Sequence, residues 1–403
     1  MLISDFRIHS LAFADPPLFA ASGLHAPLAL RTVIELEGAD GTIGLAETHG
    51  GSVPAEALEA VRADVIGQDA RSVALKLVGK AQNMALSAID VAALDLMGKV
   101  TGQPVWALLG GKLRERIPFS AYAFYKLEDD WSGFSRAMDP AGMLAQVQKL
   151  IADYGFGSVK LKAGVLDPEI EIESLKLLRR TLGPDVPLRI DPNAAWSVET
   201  SLSAGRELVE ELSNGGYFED PTRGMAGMAE VRKRLLSEGI DTPLATNMVV
   251  VSYPTLAESV PLDAVQVVLG DHHYWGGLRA TVELGRVCQT FGLGLSMHSN
   301  SHLGISLMAM VHAAAATSHL SYACDTHYPW QRAEDEICAE GRIPITDGCV
   351  TVPDAPGLGV TLNPDVLARL KENYARCGMT RRDDAAEMRK HIDPNWQYVC
   401  PRW

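Results

Sequence analysis

The stretch Ser158-Val159-Lys160-Leu161-Lys162-Ala163-Gly164 decides how the rest of the chain is read. Two lysines flank one leucine behind a β-branched residue. On a strand alternate side chains share a face, so Lys160 and Lys162 project together while Leu161 packs the other way. Paired ammonium groups repel, and in a shielded site that repulsion lowers the pKa of one of them toward the range of a base. On an exposed edge strand the same lysines would only deter aggregation. What lies downstream chooses between the two.

Downstream, apolar strand-like runs end in polar residues, each followed by a helix-like stretch. After residues 159–162 come 188–191, 217–219, 244–247, 265–268 ahead of Asp271, and 293–298. Their terminal polar residues recur every 24 to 29 residues, the length of one strand–helix unit. A first strand near 119–125 and a last near 321–325 bring the count to about eight, which predicts a (β/α)8 barrel, class α/β. A doubly wound open sheet competes. It normally carries a glycine-rich phosphate loop after an early strand, and none occurs here.

Residues 1 to about 50 alternate like an antiparallel sheet. Residues 28–37 read as a strand, Gly38-Ala39-Asp40-Gly41 as its turn and 42–47 as the return. From Pro54 to Gly110 the pattern turns helical, densest at 85–95. This predicts an α+β domain over 1–117, a barrel over 118–340 and a turn-rich segment over 341–403 that folds back on the first domain.

Composition narrows the function. A chain of 403 residues, 47% hydrophobic and 21% charged, is ordinary for a globular protein. A net charge of −14 argues against a nucleic-acid surface. Six cysteines, all from Cys288 onward and none in a CxxC pair, read as free thiols of a reducing compartment. Met1–Pro17 carries Asp5 and Asp15 and lacks the basic and apolar regions of a leader. The longest apolar run, 307–316, is interrupted by His312 and too short for a bilayer. A cytoplasmic enzyme with no membrane partner is expected.

In a barrel, residues at the C-terminal ends of the strands face one mouth. Here they are Lys160, Lys162, Asp191, Asn193, Glu219, Asn247, Asp271 and His298. Singly, each has a plain role as a turn residue, a helix cap or a core histidine. Jointly, they put oxygen ligands on three successive strands, lysines on the strand before, and an Asp and a His on the two after. Asp191, Glu219 and Asn247 suit Mg²⁺: hard oxygens, few in number, leaving positions for water and substrate. Two carboxylates balance the dication, which can then draw a substrate carboxylate and stabilise the enediolate formed when the neighbouring proton is removed. Lys162 on one side, and His298 oriented by Asp271 on the other, stand as bases on opposite faces. Lys160 lowers the pKa of Lys162 and meets the substrate carboxylate.

With these residues in place, the chain resembles the enolase superfamily, specifically its glucarate dehydratase group, related to mandelate racemase and muconate lactonizing enzyme. The resemblance begins at Gly23-Leu24-His25-Ala26-Pro27 and continues through KLKAGVL (160–166), DPNAAWS (191–197), FEDP (218–221) and ATNM (245–248). It ends with MHSNSH (297–302), DTH (325–327), PGLGV (356–360) and RRDDA (381–385). It implies a modified TIM barrel whose N-terminal α+β cap is completed by the C-terminal segment. It implies Mg²⁺ on Asp191, Glu219 and Asn247, a Lys162 base, an Asp271–His298 pair, and supporting roles for Lys160, Asn193 and Asn300. His25, Tyr122, Phe124, His327 and Arg382, with Lys160 and Asn193, would contact an acid sugar. The implied reaction is a hydro-lyase step: removal of the proton α to a carboxylate and loss of the β-hydroxyl, giving a 2-keto-3-deoxy acid. A racemase or epimerase, or a dehydratase for another mono- or diacid sugar, is the alternative on the same site. A non-enzymatic relative would be marked by a lost ligand or base, and none is lost. Homo-oligomers are implied by the resemblance alone. Residues 19–25 and 50–53 are expected to cover the mouth as a lid. This chain departs from the group at Ala20, where an asparagine is usual, and in shorter segments after Phe124 and before Ala85. Those departures lie where substrate length and hydroxyl pattern would be read.

Overall fold

In the computed structural model, which describes residues 1–403, the alternating N-terminal sequence forms a three-stranded antiparallel sheet. Leu28–Gly38 is its centre, paired with Ile3–Ala14 on one side and Ile43–His49 on the other. The helix Asn83–Thr101, buried from Ala85 through Leu96, packs on Ile43–His49 and ends at Gly102 in the left-handed conformation.

Seven parallel strands follow in chain order: Ala121–Phe124, Val159–Lys162, Leu188–Asp191, Tyr217–Glu219, Leu244–Thr246, Val267–Gly270 and Gly294–Met297. They are short and buried, as strands covered on both faces must be. The sixth begins two residues later than the sequence pattern predicts. Asp263, left-handed, ends the preceding helix, and the Ala264 amide still bonds back to Ser259.

The eighth position is filled, but not by a regular strand. Over residues 321–325 the amides of Ser321 and Tyr322 both donate to the Leu295 carbonyl, which interrupts the ladder. Asp325 N then donates to Met297 O (2.8 Å), while Cys324 N donates to Pro118 O (2.9 Å) and Ser120 N to Cys324 O (2.8 Å). The segment thus bonds to both edges and closes the sheet into a barrel. Consecutive strand order and closure exclude the doubly wound alternative. Several barrel helices start on side-chain caps: Asp139, Asp167, Ser197 and Ser252 each accept from a first-turn amide.

Residues 341–403 make contacts with both the N-terminal sheet and the barrel. Cys349–Thr351 pairs with Arg116–Pro118, and the helix Pro364–Cys377 packs on Ile3–Ala14. The last residues instead reach a barrel loop, where Arg402 N donates to Ala195 O (2.7 Å). The apolar run noted in the sequence lies in the wholly buried helix Gly304–Ala316, and no helix is long and apolar enough to cross a membrane. All six cysteines are unpaired.

Candidate active site

Lys160 and Lys162 do share a face of Val159–Lys162, and the Tyr122 ring on the neighbouring strand meets both: its centroid lies 4.8 Å from Lys160 Nζ and 5.9 Å from Lys162 Nζ. Carboxylates hold both ammonium groups. Lys160 Nζ is 2.6 Å from Asp325 Oδ2 and 2.6 Å from Glu219 Oε2, and Lys162 Nζ is 2.6 Å from Asp191 Oδ2. Burial pulls the pKa of Lys162 down, and Lys160 adds to that, but Asp191 and its neighbours outweigh both and leave it above the ordinary lysine range. The lowering expected from the lysine pair is therefore one contribution among larger opposing ones. After the strand the chain turns sharply at Gly164, where φ is 74° and a Cβ would lie 2.1 Å from Pro192 O, so only glycine fits.

Asp191 and Glu219 end their strands and Asn247 directly follows the next one, so the barrel brings the three together at its mouth. Asp220 adds a third buried carboxylate within 4.8 Å of those of Asp191 and Glu219. Its oxygens are already engaged: one accepts from Thr246 Oγ1, the other from Asn247 N at 2.9 Å, which fixes the Asn247 backbone. By contrast Glu219 Oε1 and Asn247 Oδ1 are buried with no hydrogen-bond partner. Such orphaned acceptors are costly unless a cation or donor faces them. Burial, with the Asp191 charge next, pushes the Glu219 carboxyl well above the usual range, which marks a site short of positive charge. Hard oxygens, two ionisable and one neutral, with no sulfur or imidazole among them, fit Mg²⁺.

Asp271 follows Val267–Gly270 and bridges two imidazoles. Its Oδ2 lies 3.0 Å from His298 Nδ1 and its Oδ1 lies 2.7 Å from His273 Nδ1, while Oδ1 also accepts from His273 N. Burial opposes ionisation of Asp271, yet these histidines hold it well below the usual carboxylate range. The carboxylate can only accept, so His298 carries its proton on Nδ1 and leaves Nε2 free for the mouth.

Of the remaining expected residues, His327, Tyr122, Phe124, His25 and Arg382 follow one line of contacts. His327 stands 4.8 Å from Tyr122 and 5.0 Å from Phe124, ring centre to ring centre, and Phe124 stands 6.2 Å from His25. His25 Nδ1 lies 3.0 Å from Asp15, which Arg382 approaches to 3.6 Å. Asn193, left-handed at φ 54°, donates its amide to Asp191 Oδ1 (2.9 Å). Asn300 accepts from Arg31 Nη1 at 2.8 Å. A cavity of about 320 Å³ between cap and mouth is lined by Arg31, His49, Gly50, Tyr274, Asn300 and Arg382. A cavity of about 830 Å³ between the outer helices Gly224–Ser237 and Tyr253–Leu262 contains none of these residues.

Several residues of this constellation, Asp220 among them, are absent from the sequence-derived set. Asp325 could have been found, since it follows His298 at the common repeat length. Arg31, Asp15 and His273 carry no such signal. The first two arrive from the cap, and His273 hides within a run of four aromatic residues, His272-His273-Tyr274-Trp275.

Residues 142–366 match the family model described as enolase C-terminal domain-like, and residues 19–110 match the mandelate racemase / muconate lactonizing enzyme N-terminal domain. A protein of Streptomyces coelicolor named probable glucarate dehydratase is 42% identical over 443 aligned positions, covering 100% of this chain and 99% of that one. A solved enolase from Pseudomonas fluorescens Pf0-1, with bound magnesium, potassium and tartrate, superposes with a TM-score of 0.92 at 43% identity over 100% of this chain and 99% of its own. One from Thermobispora bispora, complexed with magnesium and formate, gives 0.93 at 44% identity, covering 100% of both chains. With matching domains at both ends and relatives aligned from end to end, the chain belongs to the mandelate racemase / muconate lactonizing enzyme family of the enolase superfamily.

Proposed function

We propose that this protein is an acid-sugar dehydratase that depends on Mg²⁺ held by Asp191, Glu219 and Asn247. The observation that carries the reading is the buried pair of unpartnered oxygens, Glu219 Oε1 and Asn247 Oδ1, standing between two basic groups. Lys162 lies on the second barrel strand and His298 follows the seventh, with the three ligand strands between them. A substrate seated at the ligands therefore has one base on either side. Magnesium there would supply fixed positive charge for the substrate carboxylate and for the enediolate derived from it. Lys162 Nζ, after giving up the proton that its pairing with Asp191 retains, or His298 Nε2 takes the α-proton, according to the configuration of the substrate. The electron pair left behind expels the β-hydroxyl, which His298, when protonated, releases as water. The resulting enol tautomerises to the 2-keto-3-deoxy acid. Asp271 orients His298, Lys160 holds the ligand carboxylates in place, and Asn300 with Asn193 supports the site. Tyr122, Phe124, His327, His25 and Arg382 form the surface the sugar chain meets. The name and full-length identity of the Streptomyces coelicolor relative favour a hexarate-like diacid.

Two bases on facing walls also suit an epimerase, in which one base removes the proton and the other returns it. A panel of acid sugars assayed for keto acid and for solvent deuterium uptake separates the two. Dehydration gives keto acid; epimerisation gives labelled, inverted substrate and none. His298→Asn and Lys162→Ala are each expected to lower kcat roughly 10²- to 10⁴-fold on the reaction they serve. Full turnover in both variants would sink this assignment of bases.

A further inference from the structure

The Asp271–His298 pair does not end at Asp271. His273 Nδ1 meets Asp271 Oδ1, and the far side of the same ring faces the cap: Arg31 Nη2 lies 3.1 Å from His273 Nε2, and Ser306 Oγ lies 3.2 Å from it. A guanidinium has donors and no acceptor. His273 Nε2 must therefore present its lone pair to Arg31, which places the ring proton on Nδ1, aimed at Asp271. Arg31 is 1% exposed and comes from the cap strand Leu28–Gly38, whereas Asp271, His273 and His298 belong to the barrel. Its orientation is fixed on its other sides. Nε donates to Glu47 (2.7 Å) and Nη1 to Asn300 Oδ1 (2.8 Å), which also turns the Asn300 amide nitrogen toward His49.

We propose that Arg31 is a positioning residue that locks the tautomer of His273 and, through Asp271, keeps His298 Nε2 available as a base, so that the His298 half of the site works only with the cap in place. Charge balance does not explain the contact, because Glu47 already pairs with Arg31. Without Arg31 only Asp271 favours the His273 proton on Nδ1, and Ser306, free to accept from Nε2, competes for it. A bare Nδ1 lone pair would then face Asp271 Oδ1 across 2.7 Å. Asp271 would lose a donor, and its relief is to draw on the proton it shares with His298.

The inference rests on His298 being one of the bases, so its test has an arm that does not involve turnover. In protein labelled with ¹⁵N-histidine, two-bond proton–nitrogen spectra read each ring's tautomer, with His273 identified by its loss in His273→Gln. The expected result is His273 with a protonated Nδ1 and a bare Nε2; a protonated Nε2 in the unaltered protein overturns the proposal whatever the enzyme does. The second arm uses Arg31→Met combined with Glu47→Gln, so that no buried carboxylate is stranded, and two acid sugars epimeric at the reacting carbon. α-Proton exchange on the His298 epimer is expected to fall at least about tenfold, as for groups that orient a reacting residue. Because Arg31 also holds Asn300, exchange on the Lys162 epimer serves as the internal reference, and the ratio of the two rates is expected to move at least about fivefold against the His298 epimer. An equal loss on both epimers means Arg31 only holds the cap, and the proposal fails. If the unaltered protein exchanges neither epimer, the base assignment fails instead, and the histidine spectrum of the Arg31→Met, Glu47→Gln protein decides the role of Arg31: a His273 that keeps its proton on Nδ1 alone there overturns the proposal.

Discussion

Asn247 contributes an oxygen without a charge, and that distinguishes it from Asp191 and Glu219. Three carboxylates around the dication would over-neutralise it and weaken its hold on a further anion. Asn247→Leu keeps the volume and removes Oδ1, the atom that is buried without a partner. Magnesium affinity measured by calorimetry is expected to drop at least about tenfold, since even groups behind the ligands are worth that much. Unchanged affinity would remove Asn247 from the ligand set. At this scale the sequence was most informative where one rhythm governs position. Lys162, Asp191, Glu219, Asn247, Asp271 and His298 could be placed at one mouth because the repeat puts each at a strand end. Arg31 and Asp15 reach the same mouth from another domain, and no spacing along the chain encodes a contact made across a domain boundary.

At the scale of elements, the loop that carries the chain out of Val159–Lys162 is held from below by one buried carboxylate. Glu171, on the helix Pro168–Leu182, accepts from the amides of Gly164, Val165 and Leu166 at 2.8, 2.8 and 2.9 Å. Burial nevertheless raises its pKa from 4.5 to about 7, against the pull of those three donors. In that window the folded chain retains a proton that the unfolded chain has lost. The folded state therefore binds more protons, and this group's share of stability falls as pH rises from 4.5 to about 7. Glu171→Gln is expected to lose about 1–3 kcal/mol through an amide left without its acceptor, and to lack that decline. Urea unfolding midpoints across the window would test it; parallel profiles for the two proteins would refute the account. The strands and the first sheet were legible as elements because their alternation and their polar ends recur. The closing segment 321–325 was legible in place but not in form, because its ladder is interrupted by two amides sharing one carbonyl. Nothing local in the sequence shows that sharing.

At the scale of the molecule, the cap and the barrel are joined by carboxylates rather than by apolar contact alone. Glu47, 1% exposed on the cap strand Ile43–His49, accepts from Leu303 N (2.8 Å) and Ser306 N (2.9 Å) at the start of the barrel helix Gly304–Ala316. Asp90, on the cap helix Asn83–Thr101, accepts from Leu278 N (2.8 Å) at the start of the barrel helix Leu278–Phe291 and pairs with Arg279. Both barrel helices lack a capping side chain of their own. The cap domain supplies the acceptors their first turns need, with the favourable sign for a helix N-terminus. Undocking the cap would thus strand buried amides in the barrel and separate Arg31 from Asn300 and His273. The two parts should consequently unfold together. Glu47→Ala removes acceptors from two helix amides and from the Arg31 guanidinium, and is expected to cost about 3–5 kcal/mol, the range for breaking one side of a buried ion pair. Asp90→Ala leaves a more exposed arginine unpaired, so its cost is expected at about 1–3 kcal/mol. In urea, far-ultraviolet circular dichroism and tryptophan fluorescence should trace one coincident transition for the unaltered protein and for both variants, displaced further by Glu47→Ala. A biphasic curve in which the barrel outlasts the cap would show that these acceptors are dispensable to the barrel helices, and that the cap is merely seated on the mouth.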